Sequence, residues 1–507
     1  MPSPSCLHWV HRICLSISQT YSILPDQPCP SLPATVPRIT YVLLTSPTTH
    51  CTSLSHNSTS KTHSIHTIVT QRTMAATSPV TPESLSQRTA SITNAIARIS
   101  SAAAAYAETS KKILEDADGS GNNDIKNLTT EAAAQESLAI EVKNLLSEVQ
   151  GPMGALLDLI GSLCRTTALR CLLDLGVFTT LPPDGTPMTA DALLSQLPVP
   201  DVEKALLIRL LRNATAPGVG PLVETDEETY AQTGASSVLG APGLAAMFRQ
   251  LFDECFPALV MMPEFFREGG KGWRVPAEAS DCPYTFAHRT GGLDMWQYIA
   301  RFPERQANCN VAMKAQGFEG VWAVGLYPFL ERASGLARGG EDVPLVVDVG
   351  GGAGYTSRRI RELCAGVKGT VVLQDFEKVL ADAEDVDGVV KMAHDFFAEQ
   401  PIKGAPIYYL RRILHDWSDD ACVTILRHLA AAMDRALPSR VVIAEQILPT
   451  RGVSNQSAFV DMFMMTCTGM ERTERQWGQL LARAGLRIEK VYTTPGIPFG
   501  AIEAVLV

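Results

Sequence analysis

PLVVDVGGGAG, residues 344–354, is the stretch from which the fold follows. Leu345, Val346 and Val347 form a short apolar run, as in a parallel strand covered on both faces. The run ends in Asp348 and then Gly350, Gly351, Gly352 and Gly354. Glycines at the carboxyl end of a strand allow a tight turn and let a ligand approach the main chain. Tyr355 to Cys364 is expected to be a helix whose amino end faces the same crevice.

Two cofactor classes favour such a loop. A dinucleotide requires G-x-G-x-x-G, the last glycine allowing close helix–strand packing. Counted from Gly350 the third place is Tyr355, and counted from Gly352 it is Ser357, so the dinucleotide reading fails. S-adenosylmethionine carries no phosphate and needs only close approach to the backbone.

The chain beyond supports an alternating α/β domain. VVLQD (371–375) ends in a carboxylate about twenty residues past the glycines, where an acid can hold ribose hydroxyls. VVKMAHD (389–395) ends in Asp395 and is followed by Phe396 and Phe397. PIYYLRRILHDWSDD begins at Pro406 and RVVIAEQILP at Arg440. Strands are expected at 345–349, 371–375, 389–394, 406–411, 440–446, 486–494 and 501–507. The last two are separated by TPGIPFG, too short for a crossover helix, and so should pair antiparallel.

DVGGGAG, LRRILHDW, AEQILP and ERT at Glu471 together resemble the plant and fungal S-adenosylmethionine-dependent O-methyltransferases, including the caffeate and flavonoid enzymes. The likeness runs from about Ala168 to Val507. It implies a Rossmann-like class I methyltransferase domain, a seven-stranded sheet with its last strand antiparallel, behind a mainly helical winged-helix dimerisation domain. It also implies a homodimer that methylates a hydroxyl of a small phenolic or polyketide metabolite without a metal.

A phenol has a pKa near 10 and a histidine titrates near 6.5, so an imidazole suits the proton transfer. His415 follows a strand's carboxyl end, where open-sheet sites lie, and is expected to be the general base. A carboxylate usually orients such a ring. By resemblance, Glu445 and Glu471 flank it, with Asp461 and Asp416 as secondary candidates. The resemblance puts Gly350, Gly351, Gly352, Asp375, Asp395 and Phe396 around the cofactor, with Trp417 against the adenine. Arg411 stands where the family carries a lysine. On the family pattern Trp296, Ile299, Cys309 and Met313, with Met464, face the acceptor. The segment Met464–Met470 is expected to be a loop shorter than in plant relatives. His394 and His428 read as ordinary structural histidines.

Composition narrows the alternatives. The chain has 507 residues, is 46% hydrophobic and 19% charged, and carries a net charge of −10. Residues 1–73 hold four basic residues (Arg12, Arg38, Lys61, Arg72) against Asp26, so the acidity lies in the remainder. An acidic body disfavours nucleic acid as a partner. No apolar run is long enough for a membrane helix, and a cytoplasmic location is expected. The twelve cysteines show no CxxC, as for free thiols in a reducing compartment.

Residues 1–82 are expected to be disordered or a mispredicted extension: they are rich in Ser, Thr, Pro and His, and Met74 opens MAATSPVTPESLSQR like an ordinary start. Residues 83–150 read as helical, with helices at 83–115 and 130–148. Asp116–Asn127 imitates a calcium loop but ends in Asn127 instead of a bidentate glutamate. Residues 151–330 read as the winged-helix and substrate-pocket domain, and 331–507 as the catalytic domain. The wing carries Glu224, Asp226, Glu227 and Glu228, which would repel a phosphate backbone. Met261, Met262, Phe265 and Phe266 read as core. The competing function is a catalytically inactive methyltransferase-like scaffold, which the intact His415, Glu445 and Glu471 disfavour.

Overall fold

The computed structural model describes residues 82–115, 124–269, 272–316, 324–336, 340, 342–436, 438–494 and 498–507. The calcium-like segment falls mostly outside these, as do residues 1–81, expected to be disordered or a mispredicted extension.

The chain enters through two long helices, Pro82–Glu115 and Asp124–Asp174, packed on each other. The helix expected at 130–148 is part of one longer element kinked at Gly151, whose φ of 67° only glycine adopts readily, followed by Pro152. Beyond Gly176 come helices Ala190–Gln196 and Lys204–Ala214. Thr189 caps the first, its hydroxyl accepting from the Ala192 N–H. A small antiparallel sheet follows, with β1 (Met188–Thr189), β2 (Leu222–Asp226) and β3 (Thr229–Gln232) in the order β1-β3-β2. Leu172, Phe178, Leu193, Leu207, Leu211 and Tyr230 close its core. The acidic tip of the β2–β3 wing is exposed as expected. The next helices, from Pro242 to Gln316, include a π-helical turn at Leu251–Cys255 that the sequence pattern does not reveal. Met262 and Phe265 are buried within them.

The catalytic sheet contains β4 (Pro344–Val349), β5 (Thr370–Asp375), β6 (Val389–Ala393), β7 (Ile407–Arg411), β8 (Arg440–Leu448), β9 (Arg472–Thr473), β10 (Leu486–Thr493) and β11 (Phe499–Leu506). Seven of these form the path β10-β11-β8-β7-β4-β5-β6, and the two-residue β9 pairs with the end of β8. β4 to β8 run parallel, and β11 is antiparallel to both β8 and β10. The expected seven strands are therefore present, with β9 as an eighth that is too short to show a period of two. Residues alternate between faces, as strands require. Tyr408, Leu410, Val441 and Ile443 pack under the helix Asp419–Ala432, while Ile407, Tyr409 and Val442 pack on the opposite side with Tyr327 and Phe329.

Because neighbouring strands are parallel, the turns after β4, β5, β6 and β7 all open on one edge of the sheet. The order reverses between β4 and its two neighbours, β5 and β7. That reversal creates the crevice where open α/β sheets bind ligands.

Candidate active site

The glycine loop is built around two acids. Asp348, 1% exposed at the end of β4, accepts a hydrogen bond from Ser357 Oγ at 2.6 Å. Burial pushes its carboxyl up to about 6, with Ser357 and Arg411 opposing. Gly350 and Gly351 donate their N–H groups to the Gln374 carbonyl at 2.8 and 3.0 Å. Gly352 donates to Asp375 Oδ2 at 2.9 Å, and Phe376 donates to Oδ1 at 2.7 Å. Asp375 thus braces the loop as well as facing the crevice, which its place at a strand end does not disclose. Burial raises its pKa.

A side chain on Gly350 would meet Ile413 at 2.7 Å, and one on Gly351 would meet Asp348 at 2.6 Å. On Gly352, with φ of 61°, it would meet nothing within 4 Å. The loop is therefore packed beneath and open above, the shape a ligand lying on the backbone needs. Arg411 reaches toward this rim. Its Nη1 lies 3.5 Å from Thr356 Oγ1, and its buried Nε has no partner among the described residues. Phe396 lies edge-on to Trp417 at 6.0 Å and Phe397 edge-on to it at 4.8 Å. Asp395 is exposed and accepts the Phe397 N–H at 2.9 Å. Phe376 and Tyr355, both exposed, flank the same loop; neither is among the cofactor contacts expected from the sequence, although Phe376 directly follows Asp375.

The second half of the site starts where β7 ends. Arg412 takes a left-handed φ of 53°, an uncommon value for any residue but glycine, and Leu414–Asp416 form a single 3-10 turn. Glu445, in the second half of β8, holds that turn: its Oε1 accepts the N–H groups of Ile413, Leu414 and His415 at 3.0, 3.0 and 3.4 Å. Arg472, fully buried, holds it from beyond, donating to the Leu414 and Trp417 carbonyls, each at 3.0 Å, and to Asp419 Oδ1 at 2.8 Å. Sequence reading passed over Arg472, although it adjoins Glu471 in ERT.

The imidazole of His415 is 3% exposed, with carboxylates at both nitrogens. Nδ1 lies 2.8 Å from Glu471 Oε1, and Nε2 lies 3.4 Å from Asp416 Oδ1. Asp461 Oδ1 accepts the Glu471 N–H at 2.9 Å and so places that residue. Of the two glutamates expected to flank His415, Glu471 hydrogen-bonds the ring, whereas Glu445 holds the main chain of the same turn. Burial alone would draw the imidazole down, but Glu445, Asp416 and the Glu471 hydrogen bond overcome it and push it up to about 9, against Arg412. Burial pushes Glu445 up to about 7. Ligand-type atoms of His415, Glu445 and Glu471 all lie within 4.8 Å of one another, a spacing that a proton network and an ion share. Nδ1 is already joined to Glu471, and Glu445 Oε1 to three N–H groups, as a proton network requires.

The expected acceptor wall is only partly assembled. Met464 lies in the helix Asn455–Thr466 instead of a loop, because Ser454 caps a helix that continues to Thr466. It packs beside Gly469, where an added side chain would meet both Met464 and the His415 carbonyl. The connection to Met470 is short, and Met470 donates its N–H to the His415 carbonyl at 2.8 Å. Ile299 is fully buried with Ala258, Cys282, Tyr284 and Met295. Cys309 is 2% exposed, whereas Trp296 and Met313 are 40% and 43% exposed. Cys467, just beyond the helix that carries Met464, packs against the cluster around Ile299. A helix pattern cannot tell which part of an apolar stripe lines a pocket and which part packs as core.

A parallel sheet with an antiparallel last strand, a glycine crevice at its order reversal and a buried imidazole beside that crevice define a class I methyltransferase. Comparison with known proteins gives the family. Residues 273–487 match the O-methyltransferase domain, and residues 157–241 match the O-methyltransferase dimerisation domain. O-methyltransferase opaF of Aspergillus ustus is 38% identical over 384 residues, 75% of this chain and 88% of that one. Demethylsterigmatocystin 6-O-methyltransferase of Aspergillus parasiticus is 32% identical, over 63% of this chain and 80% of that one. Among solved structures, OxaC in complex with SAH and oxaline superposes with a TM-score of 0.70 at 30% identity, over 83% of this chain and 100% of OxaC. LepI in complex with SAM superposes at 0.65 and 28% identity, over 76% and 98%. The chain belongs to the O-methyltransferase family and is an S-adenosylmethionine-dependent O-methyltransferase. Among the described residues no helix is long and apolar enough to cross a membrane.

Proposed function

We propose that this enzyme methylates a hydroxyl of a small aromatic metabolite of fungal secondary metabolism, phenolic or polyketide in class, with His415 as general base. The observation that carries this reading is the buried His415–Glu471 pair, 2.8 Å apart, at the end of β7 beside the glycine crevice. When bound, S-adenosylmethionine supplies an electrophilic methyl group on a sulfonium. Gly350, Gly351 and Gly352 offer it the open backbone, Asp375 the acid for ribose hydroxyls, and Phe396, Trp417 and Arg411 the remaining rim, with Asp395 at its edge. Glu471 accepts the Nδ1 proton of His415, which leaves Nε2 to take the acceptor's proton. Glu445 and Arg472 keep the 414–416 turn in place. The matched dimerisation domain supports a homodimer, with residues 151–330 supplying that contact and part of the acceptor wall, and residues 331–507 the catalysis.

A second reading keeps the fold and the cofactor but drops methyl transfer. It is favoured by one solved structure, described as a pericyclic reaction enzyme and similar at a TM-score of 0.65 and 28% identity. Incubation of the full chain with methyl-tritiated S-adenosylmethionine and an extract of fungal phenolic metabolites separates the two. Label entering an organic-soluble product, and lost in His415→Ala, is expected. No label in any hydroxylated metabolite, despite measured cofactor binding, would favour the second reading.

A further inference from the structure

The base is buried, and this raises a question the methyl-transfer reading leaves open: where its proton goes between turnovers. The His415 side chain is 4% exposed and that of Glu471 is 0% exposed. Glu445 is also 0% exposed, with its Oε1 occupied by three main-chain donors. The unpartnered second oxygens of Glu445 and Glu471 are sealed in the same interior. Asp416 differs. Its Oδ1 lies 3.4 Å from Nε2, and its side chain is 27% exposed. Among the described residues it is the one carboxylate bonded to the ring that also reaches solvent.

We propose that Asp416 is the proton exit of the active site, a positioning residue that takes the proton from His415 Nε2 after each methyl transfer and releases it to water. This rests on His415 being the base. In the transfer step the acceptor O–H bond breaks and its proton moves to Nε2. The oxygen's electron pair forms the new O–CH3 bond, and the pair of the broken S–CH3 bond stays on sulfur. The proton then passes from Nε2 to Asp416 Oδ1 and from there to solvent, returning the imidazole to its neutral form. Glu471 cannot serve, because it faces the other nitrogen and has no opening. Arg412 lies near enough to oppose protonation of both His415 and Asp416, which helps the proton leave.

The role is separable from structure by kinetics. In the full chain, Asp416→Asn is expected to lower steady-state turnover far more than it changes the single-turnover rate of methyl transfer. Steady-state turnover in dilute, non-exchanging buffer should fall about tenfold or more, within the range of a lost acid–base group. Added imidazole or acetate, at constant pH and ionic strength, should restore turnover in proportion to its concentration, while wild type responds little. Asp416→Glu keeps a carboxylate and should turn over as wild type without added buffer. Turnover in Asp416→Asn that equals wild type in dilute buffer, or that falls equally in single and multiple turnovers without buffer rescue, overturns the proposal. A separate result would strike the base reading itself: a wild-type single-turnover rate in His415→Ala.

Discussion

Glu445 reaches His415 through the main chain: its Oε1 lies 3.4 Å from the His415 N–H, while the imidazole is joined to Glu471 at 2.8 Å. Two carboxylates adjacent in space therefore have different tasks, one holding a turn and the other a ring.

The two glutamates should accordingly fail differently. Glu445→Ala leaves three buried N–H groups without their acceptor, at about 1–3 kcal/mol for each that stays unsatisfied. The denaturant midpoint should drop well before any subtle kinetic effect is visible. Glu445→Gln keeps an acceptor oxygen and should fold near normally. Glu471→Gln removes the charge beside Nδ1 and should slow turnover with a smaller loss of stability. His415→Ala should cut turnover by about 10²–10⁴-fold with cofactor affinity nearly intact. Equal midpoints for Glu445→Ala and Glu471→Gln would contradict this division.

The pH dependence follows from the carboxylates around the ring. Free histidine titrates near 6.5, and here the imidazole is pushed up to about 9. The folded state thus binds the proton more tightly than the unfolded one. The resulting stability is fully present below about 6.5 and is lost as pH rises through about 9. The midpoint difference between wild type and His415→Ala should shrink across that window. Turnover needs the neutral ring, so kcat/KM should climb on its acid side toward about 9, not level off near 6.5. A plateau reached by pH 7 would show that bound acceptor or cofactor lowers the ring's affinity for the proton.

Asp375 is expected to matter twice, once for the cofactor and once for the loop. Asp375→Ala should weaken S-adenosylmethionine binding by about 1.5–3 kcal/mol, as for a hydrogen bond to a charged group. It also frees the Gly352 N–H, so some loss should remain when binding is measured with an analogue lacking ribose hydroxyls. Calorimetry with both ligands decides this, and unchanged affinity for S-adenosylmethionine itself would remove Asp375 from the site.

Activity should survive dialysis against EDTA, since His415, Glu445 and Glu471 are already engaged by hydrogen bonds to one another and to the main chain. Loss of methyl transfer in EDTA, restored by added magnesium, would assign an ion to the cluster instead.

Much of this protein is decided within short stretches of chain. The apolar run of β4, its four glycines, the acid ending β5 and the glutamate within β8 are local patterns. They report a buried parallel strand, a tight turn and strand ends, because main-chain sterics and the two-residue strand period act on neighbours. They suffice for the sheet, the crevice and the place of His415. The division of labour around that histidine is not local. Glu471 is 56 residues from His415, and Glu445 is 30; which of them meets the ring and which the turn depends on how β7, β8 and the 466–472 connection pack. Arg472 acts only because that packing buries it against three partners of the turn. The acceptor wall shows the same limit: Ile299 and Trp296 lie on one short helix, yet one is core and the other exposed, since burial is set by what other helices bring against each face.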